Sequence, residues 1–367
     1  MGALRFFLAL SVVATHANSI FGVNFVGGQI AVQAFYIISG FYMTLILNEK
    51  YHNQKNSYSL FITNRFMRLY PVYWVVLVLT ILVALGGFWI HGSSTRFTNF
   101  SEVNFNPFSW AYLIFSNLFL FGQDIIMFLG IKPDNGNFFF TTNFYNTYPR
   151  LYTFLFTPQA WTLGLELTFY LIAPFIVRKK VGFILFALSL SLLVRLYLYN
   201  WLGLKNDPWS YRFFPSELMF FLLGCISYKL YIAIKDAPIE KNVNIFVLVF
   251  IITFTILYFY IPTFRINHNP FSLNEIVYFA VVVLSIPVLF KWLKNNRLDS
   301  KIGELSYPIY ISHMLIIVLS NLIPINFFRE GWVIAIGSIL FSVILVQFII
   351  KPIERYRQLR VEKATNR

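Results

Sequence analysis

The chain has 367 residues, of which 58% are apolar, 20% aromatic and only 12% charged, and its formal net charge is +14. Soluble domains carry roughly 25% charged residues, so this composition excludes an ordinary soluble protein and predicts one that lies in a membrane. No polar segment is long enough to form a basic nucleic-acid-binding domain, and the single cysteine, Cys225, excludes an internal disulfide and a cysteine-based metal site.

Apolar segments along the chain approach the roughly 20 residues that a helix needs to cross a membrane. They are residues 4–22, 28–47, 69–89, 110–129, 160–177, 181–202, 213–234, 243–262, 274–290, 304–323 and 332–350. The first resembles a signal peptide, but an arginine and a histidine inside the span favour a retained helix. The pattern predicts an all-α polytopic membrane protein.

The distribution of basic residues indicates how many of these segments cross the membrane. With the N-terminus in the cytoplasm, the triplet Arg178, Lys179 and Lys180 lies inside only if segment 110–129 does not cross. Lysine and arginine prefer the cytoplasmic side, so we expect about ten transmembrane helices with both termini in the cytoplasm. Segment 110–129 is then an interfacial or re-entrant stretch.

The same segments predict one membrane-embedded domain over residues 1–350, followed by a short basic cytoplasmic tail at 351–367. The long external region, 88–159, is rich in asparagine and aromatic residues. Such a surface suits sugar rings, and it suits an aromatic belt at the membrane interface equally well. We see no fixed-period repeat and no inverted repeat of the kind that many transporters carry.

Ionisable residues inside the spans are the strongest indication of function, because charge in hydrocarbon is costly. Arg5 and His16 are eleven residues apart on the first helix. This spacing corresponds to a rise of about 16 Å, so the cation and the imidazole lie at different depths in the membrane. Arg65 and Arg68 lie three residues apart at the cytoplasmic end of the third span. The three guanidinium groups could hold the phosphates of a nucleotide-like donor. Positive-inside anchoring is the alternative for the arginines, and helix packing for His16.

Glu166 needs a partner or a proton, because an isolated carboxylate is unfavourable in hydrocarbon. We expect Glu166 and His16 each about 9 Å below the outer surface, so their side chains could meet. Arg195 in the next span is a candidate counter-ion for Glu166. Glu217 and His313 are further ionisable residues within spans.

Five motifs in chain order resemble those of the acyltransferase-3 family, the membrane O-acyltransferases of bacterial surface glycans. They are the Arg-x10-His helix from Arg5 to His16, FYIISGF at 35–41, RFMRLYP at 65–71, WTLGLELTFY at 161–170 and LSYPIYISH at 305–313. The departures are small: Thr162 stands where the family has serine, and Ser312 replaces a bulkier residue. The family's usual ten helices agree with the number that the basic residues predict.

The resemblance implies transfer of an acyl group, most often acetyl from cytoplasmic acetyl-CoA, to a hydroxyl of an external carbohydrate such as O-antigen, capsule or exopolysaccharide. Arg5, Arg65 and Arg68 would bind the CoA phosphates at the cytoplasmic mouth of the helix bundle. Ser39 would line the donor path, or serve helix packing together with the glycine that follows it.

We expect His16 to act as general base on the acceptor hydroxyl and Glu166 to orient it, as a carboxylate does in hydrolase triads. A transient acyl-histidine is the competing mechanism. The candidate supporting residues are Arg195, Glu217, Tyr307 and His313. No metal and no bound cofactor is expected; acyl-CoA is a co-substrate, and the other partners are the acceptor glycan and membrane lipid.

Two other functions compete with this one. A transporter or flippase of lipid-linked sugars also needs buried charges and aromatic loops, but it usually shows internal repeats. A non-catalytic subunit of a polysaccharide-export complex is the third interpretation. The expected location is the bacterial cytoplasmic membrane. The acceptor, the choice of acyl group and the oligomeric state stay open.

Overall fold

The computed structural model describes residues 1–51, 57–91 and 95–365, and helices account for most of them. The helices are α1 Gly2–His16, α2 Gly28–Glu49, α3 Ser57–His91, α4 Thr95–Ser101, α5 Pro107–Phe119, α6 Trp161–Ile176, α7 Val181–Asn200, α8 Phe214–Ile234, α9 Lys241–Leu257, α10 Leu273–Leu293, α11 Arg297–Glu304, α12 Ser306–Leu322, α13 Gly331–Leu345 and α14 Lys351–Thr365. A π-helical turn, Val346–Ile350, joins α13 to α14.

Within the described residues, eight helical stretches are long and apolar enough to cross a membrane. They are Gly28–Glu49, Ser57–Ile90, Val181–Asn200, Phe214–Ile234, Lys241–Tyr260, Leu273–Leu293, Arg297–Leu322 and Gly331–Glu362. The shorter apolar helix α1 has 15 residues and α6 has 16. The all-α, multi-pass architecture is therefore confirmed, and ten crossings with cytoplasmic termini remain a prediction.

Segment 110–129 is only partly helical. Helix α5 begins at Pro107, where the Asn106 side chain accepts a hydrogen bond from the Ser109 amide, and it ends at Phe119. Its 13 residues span about 20 Å, which is shorter than the roughly 30 Å hydrocarbon core. Leu120 then takes a left-handed conformation (φ 63°) and turns the chain. As a helix, this segment is too short to cross.

The first helix ends earlier than the expected 4–22. Helix α1 stops at His16, Asn18 follows in a left-handed conformation (φ 58°), and the Ser19 amide donates to the Ala14 carbonyl. This is the Schellman arrangement, in which asparagine can replace glycine. His16 is therefore the last residue of its helix, and the expectation that this helix continues to residue 22 was wrong.

The long helices run in alternating directions and give the bundle two faces. The start of α1 lies against α11, where the Met1 amino group and the Gly2 and Ala3 amides all donate to the Asp299 carboxylate at 2.7, 2.7 and 3.0 Å. An anion at a helix start satisfies unpaired amides and opposes the helix dipole. We call this the N-terminal face. The opposite face holds His16 and the start of α13, where Gly331 touches the backbone of Ser19.

Helices α2 and α8 form the closest contact at the centre of the bundle. A Cβ atom added to Gly40 would lie 2.0 Å from the Phe221 carbonyl oxygen, and one added to Gly224 would lie 2.0 Å from the Ile37 carbonyl oxygen. Small residues allow this approach of helix backbones in membranes. Gly40 of the FYIISGF motif therefore serves helix packing. Its neighbour Ser39 faces a cavity instead.

The described residues between α3 and α6 form a small subdomain. It contains α4, α5 and a two-stranded antiparallel hairpin, β1 Leu129–Ile131 and β2 Phe138–Phe140. Its own apolar cluster includes Val103, Leu113, Ile126, Ile131, Leu151 and Phe154. The Trp209 indole before α8 donates to the Thr142 carbonyl at 3.0 Å, which ties this subdomain to the opposite face.

The predicted tail at 351–367 is helical over its described part. Helix α14 continues from α13 through the π-helical turn and packs against α3. The Arg360 guanidinium donates to Thr63 Oγ1 at 3.1 Å and to Asn64 Oδ1 at 3.3 Å. These contacts hold α14 beside the helix that carries Arg65 and Arg68.

Candidate active site

A cavity of about 500 Å³, which we call the mouth cavity, lies at the N-terminal face. Helices α1, α3, α11, α12 and α14 all contribute to its wall. Its charged and phenolic side chains are Arg5, Tyr42, Arg68, Lys294, Asp299, Glu304, Tyr307, Lys351, Glu354, Arg355 and Arg357. The structure thus brings two of the three predicted arginines, Arg5 and Arg68, to one cavity.

A second cavity of about 100 Å³, the inner cavity, continues into the bundle. It shares Arg5, Tyr42, Arg68 and Tyr307 with the mouth cavity. Its other polar side chains are Tyr36, Ser39, Thr162, Glu166, Tyr170, Ser306 and Tyr310. Helix α6 starts at the opposite face, and Thr162 and Glu166 lie in its first two turns. Because both residues line the inner cavity, this cavity extends from the N-terminal face towards the opposite face. Together the two cavities form a path from the N-terminal face inward.

Glu166 is held on the wall of the inner cavity by two hydroxyl groups. Ser39 Oγ donates to its Oε1 at 2.6 Å, and the Tyr170 hydroxyl donates to the same oxygen from one helical turn further along α6. No hydrogen bond joins Glu166 to His16 in the described part of the chain. The expectation that Glu166 orients the His16 ring was therefore wrong, because the early end of α1 leaves the imidazole nearer the opposite face.

His16 instead packs against His313 of α12. The two ring centroids are 5.0 Å apart, His16 is exposed, and His313 is fully buried. His16 Nδ1 lies 3.0 Å from the Val12 carbonyl oxygen. A carbonyl can only accept, so Nδ1 carries the proton and Nε2 of the neutral ring keeps its lone pair free.

His313 has the same tautomer for the same reason. Its Nδ1 lies 2.6 Å from the Tyr310 carbonyl oxygen, so Nδ1 donates. Its Nε2 is buried and has no hydrogen-bond partner within the described ranges of the chain. An unpaired buried acceptor is costly unless a water or ligand hydrogen bonds to it, so this nitrogen is a candidate contact for a substrate hydroxyl.

Tyr310 stands between the inner cavity and the histidine pair. It lines the inner cavity, and its ring centroid is 6.1 Å from that of His313. Its hydroxyl lies 2.7 Å from Thr162 Oγ1 and donates to the Gln159 carbonyl at 2.7 Å. The lining of the inner cavity does not include His16. The path from the mouth cavity therefore ends one side chain short of the histidines.

Arg195 is not the counter-ion of Glu166. Arg195 and Glu217 form a buried ion pair between α7 and α8, with the Arg195 side chain 3% exposed and that of Glu217 fully buried. The Gln33 amide of α2 donates to both Glu217 oxygens at 3.2 Å. The Phe271 ring lies 4.7 Å from the Arg195 guanidinium carbon. Neither charged residue lines the inner or the mouth cavity.

Arg65 is placed differently from Arg68, although both belong to the RFMRLYP motif. Arg65 is 4% exposed and lies against the Phe61 ring at 5.8 Å, and no described residue hydrogen bonds to its Nε or Nη1. It is absent from the lining of both cavities.

Tyr307, a supporting candidate, lines both cavities and donates to the Leu69 carbonyl at 2.7 Å.

On the opposite face, Arg212 and Asp207 of the loop between α7 and α8 form a cluster with the first residue of α6, Trp161. The Arg212 guanidinium lies 4.2 Å from the Trp161 ring and makes two hydrogen bonds to the Asp207 carboxylate, at 2.7 and 2.9 Å. Burial alone would lower the pKa of Arg212, but the Asp207 carboxylate raises it above its usual range. Asp124 contacts α6 at Gly164, and burial raises the pKa of its carboxyl to about 6.

Sequence reasoning missed several residues of the site. Tyr170 is four residues after Glu166 and therefore shares its helix face, which could have predicted the contact. Gln33, a polar residue in an apolar run, carried a similar signal. For Tyr42 and Arg357 the sequence carried no such signal, because only packing brings them to the mouth cavity.

No group of three His, Cys, Asp or Glu side chains suited to a metal ion occurs among the described residues.

Comparison with known proteins gives three findings. A family model described as "Acyltransferase domain" matches residues 1–351, nearly the whole chain. A relative from Aquifex aeolicus (strain VF5), described as an uncharacterized protein, is 27% identical over 162 residues, which are 43% of this chain and 69% of that protein. No solved structure is detectably similar to the chain.

Proposed function

Because this chain belongs to the acyltransferase-3 family of membrane acyltransferases, we propose that it transfers an acyl group, acetyl from acetyl-CoA, across the membrane to a hydroxyl of an external carbohydrate. The acceptor class comprises surface glycans such as O-antigen, capsule and exopolysaccharide. The membrane is the bacterial cytoplasmic membrane, with the N-terminal face inside. The positive-inside distribution of lysine and arginine supports that orientation.

The mouth and inner cavities, which share lining residues, carry the proposal. Arg5 and Arg68 line both, so a donor can place its phosphates on guanidinium groups at the N-terminal face. Its narrower acyl-bearing arm then enters the inner cavity between α2, α6 and α12. A transporter would need a polar path open alternately to each face, whereas this path narrows and ends at Tyr310, one side chain short of the two histidines.

In the proposed reaction, His16 Nε2 removes the proton of the acceptor hydroxyl as its oxygen attacks the thioester carbonyl carbon. The carbonyl electrons move onto oxygen, and the tetrahedral intermediate collapses with loss of the CoA thiolate. The proton passes from His16 to that sulfur. Free thiol and an O-acyl ester are the products. Movement of Tyr310 would join the inner cavity to the histidine pair.

His313 replaces Glu166 as the proposed partner of His16. Its free Nε2 can accept a hydrogen bond from a second hydroxyl of the acceptor and so hold the reacting hydroxyl beside the His16 ring. Glu166, bonded to Ser39 and Tyr170, would shape the inner cavity and balance the charge of Arg5 and Arg68. A transient acyl-histidine at His16 Nε2 remains the competing route, because the same lone pair is a nucleophile.

The proposal is tested in membrane vesicles from cells that make a surface glycan, supplied with labelled acetyl-CoA. We expect label in the glycan and release of free thiol with the wild-type protein. His16→Ala should lower both by about 100-fold or more, since general-base catalysis contributes about 10²–10⁴. Lys180→Gln, an exposed change away from both cavities, should leave them unchanged. Normal transfer by folded His16→Ala protein would refute the assignment.

A further inference from the structure

Helix α14 follows the part of the chain that the family model matches, residues 1–351, yet it forms one wall of the mouth cavity. We propose that α14 supplies a phosphate-binding subsite, built on Arg357 and Arg355, for the nucleotide part of the acyl donor. The proposal rests on the donor chemistry of the proposed function. It assigns part of donor binding to residues outside the five motifs.

Arg357 is the main evidence for this subsite. The residue is 8% exposed, lines the mouth cavity, and its Nε has no hydrogen-bond partner among the residues that the structure describes. Its Nη1 donates to Glu354, three residues earlier on the same helix. A buried and incompletely hydrogen-bonded guanidinium in the wall of a cavity favours an anionic ligand there, since leaving it unpaired is costly. Guanidinium is also the group that suits bidentate phosphate binding.

The position of α14 is fixed by contacts that do not involve Arg357. Arg360, one turn further along, donates to Thr63 Oγ1 at 3.1 Å and contacts Met67 Sδ at 3.1 Å. Both acceptors lie on α3, the helix that carries Arg68. Helix α14 therefore presents Arg357 to the same cavity as Arg68, and the two guanidinium groups can act on one ligand.

The side chains that line the mouth cavity carry a net positive charge, which favours a polyanionic ligand. Among the described residues, six basic side chains line it, Arg5, Arg68, Lys294, Lys351, Arg355 and Arg357, against three carboxylates, Asp299, Glu304 and Glu354. Asp299 is already occupied by the Met1 amino group, and Glu354 by Arg357. The surplus of positive charge suits an acyl-CoA, which carries a diphosphate and a ribose phosphate. Anionic lipid headgroups carry the same phosphate chemistry and are the competing source.

The test is equilibrium binding to the full-length protein in zwitterionic nanodiscs, with adenosine 3′,5′-bisphosphate and acetyl-CoA as probes. Loss of one charge-assisted phosphate contact should weaken binding by about tenfold, so we expect this for Arg357→Gln and for the exposed Arg355→Gln. Arg357→Lys should retain part of the affinity, because it keeps the charge but not the fork of donors. Lys180→Gln, on the same face but outside both cavities, is the matched control.

The outcomes separate this inference from the proposed function. If the wild-type protein binds acetyl-CoA and both glutamine variants bind it equally well, the α14 subsite is wrong and the donor assignment stands. If the wild-type protein binds neither probe, the donor assignment fails as well. Repeating the measurement with phosphatidylglycerol in the nanodisc identifies which source of phosphate binds at the subsite. If Arg357→Gln weakens binding of the lipid but not of the nucleotide, the nucleotide version of the proposal is overturned. Thermal unfolding of each variant verifies that it is folded.

Discussion

The chemistry of individual residues depends on how each side chain is paired. His16 and His313 both donate from Nδ1 to a carbonyl of their own helix, so both keep Nε2 available. Glu166 has one carboxylate oxygen, Oε1, occupied by Ser39 and Tyr170 and is therefore suited to shaping the cavity. The residue types that the motifs supply are those that acyl transfer needs, but their pairing differs from a Ser-His-Asp triad.

The two arginines of the RFMRLYP motif should behave differently in kinetics. Arg68 lines both cavities and Arg65 lines neither. We expect Arg68→Ala to raise the KM for acetyl-CoA by about tenfold with kcat nearly unchanged, because it removes a contact to donor phosphate. Arg65→Ala should leave this KM nearly unchanged. Initial rates of thiol release at varied acetyl-CoA measure both. An equal rise in KM for the two variants would contradict the placement of Arg65.

At the scale of elements, α2 and α8 form the centre on which the site is built. Gly40 and Gly224 allow their backbones to touch, so the adjacent residue Ser39 is held at a fixed distance from α6 and Glu166. On the other side of α8, the Arg195–Glu217 pair and Gln33 join α7, α8 and α2. These polar contacts lie away from both cavities, and their role is therefore to stabilise the fold.

The buried ion pair predicts a specific pattern of stability. Glu217→Ala should lower the free energy of unfolding by about 3–5 kcal/mol, because it leaves Arg195 buried without a counter-charge. The double variant Arg195→Met with Glu217→Leu should recover most of that loss, since both buried charges are removed together. Thermal unfolding of the purified protein in detergent compares the three. A double variant no more stable than Glu217→Ala would rule out the ion pair as the cause.

At the scale of the whole molecule, the two faces differ in charge and in the sites they hold. The N-terminal face has the mouth cavity with its surplus of arginine and lysine. The opposite face has the histidine pair, the cluster around Arg212 and Trp161, and the subdomain between α3 and α6. This asymmetry is what a donor on one side and an acceptor on the other require.

The orientation can be measured by labelling single cysteines with a membrane-impermeant maleimide in spheroplasts. Native Cys225 is fully buried and should not react. We expect Asn206→Cys and Asn135→Cys to be labelled from outside and Lys180→Cys only after permeabilisation, since all three positions are exposed. Labelling of position 135 only after permeabilisation would mean that the α5 segment crosses the membrane. The reverse labelling pattern at positions 180 and 206 would mean that the protein has the opposite orientation in the membrane.

The sequence by itself determined the membrane class, the approximate position of nearly every span, the family, and the residue types of the site. It could do so because hydrocarbon selects apolar stretches of fixed length and makes each internal charge costly. The end of α1 at His16 was encoded locally as well, in Asn18, but the apolar run continued past it and hid the helix stop.

Only the tertiary structure decided which polar groups meet. Partners such as Arg195 and Glu217, Ser39 and Glu166, or His16 and His313 lie on different helices, and their contacts depend on how each helix is rotated and tilted. Spacing along one helix fixes depth but carries no information about which neighbour a side chain faces. The mouth cavity is the clearest case, because helices far apart in the chain contribute its cations and packing alone assembles them.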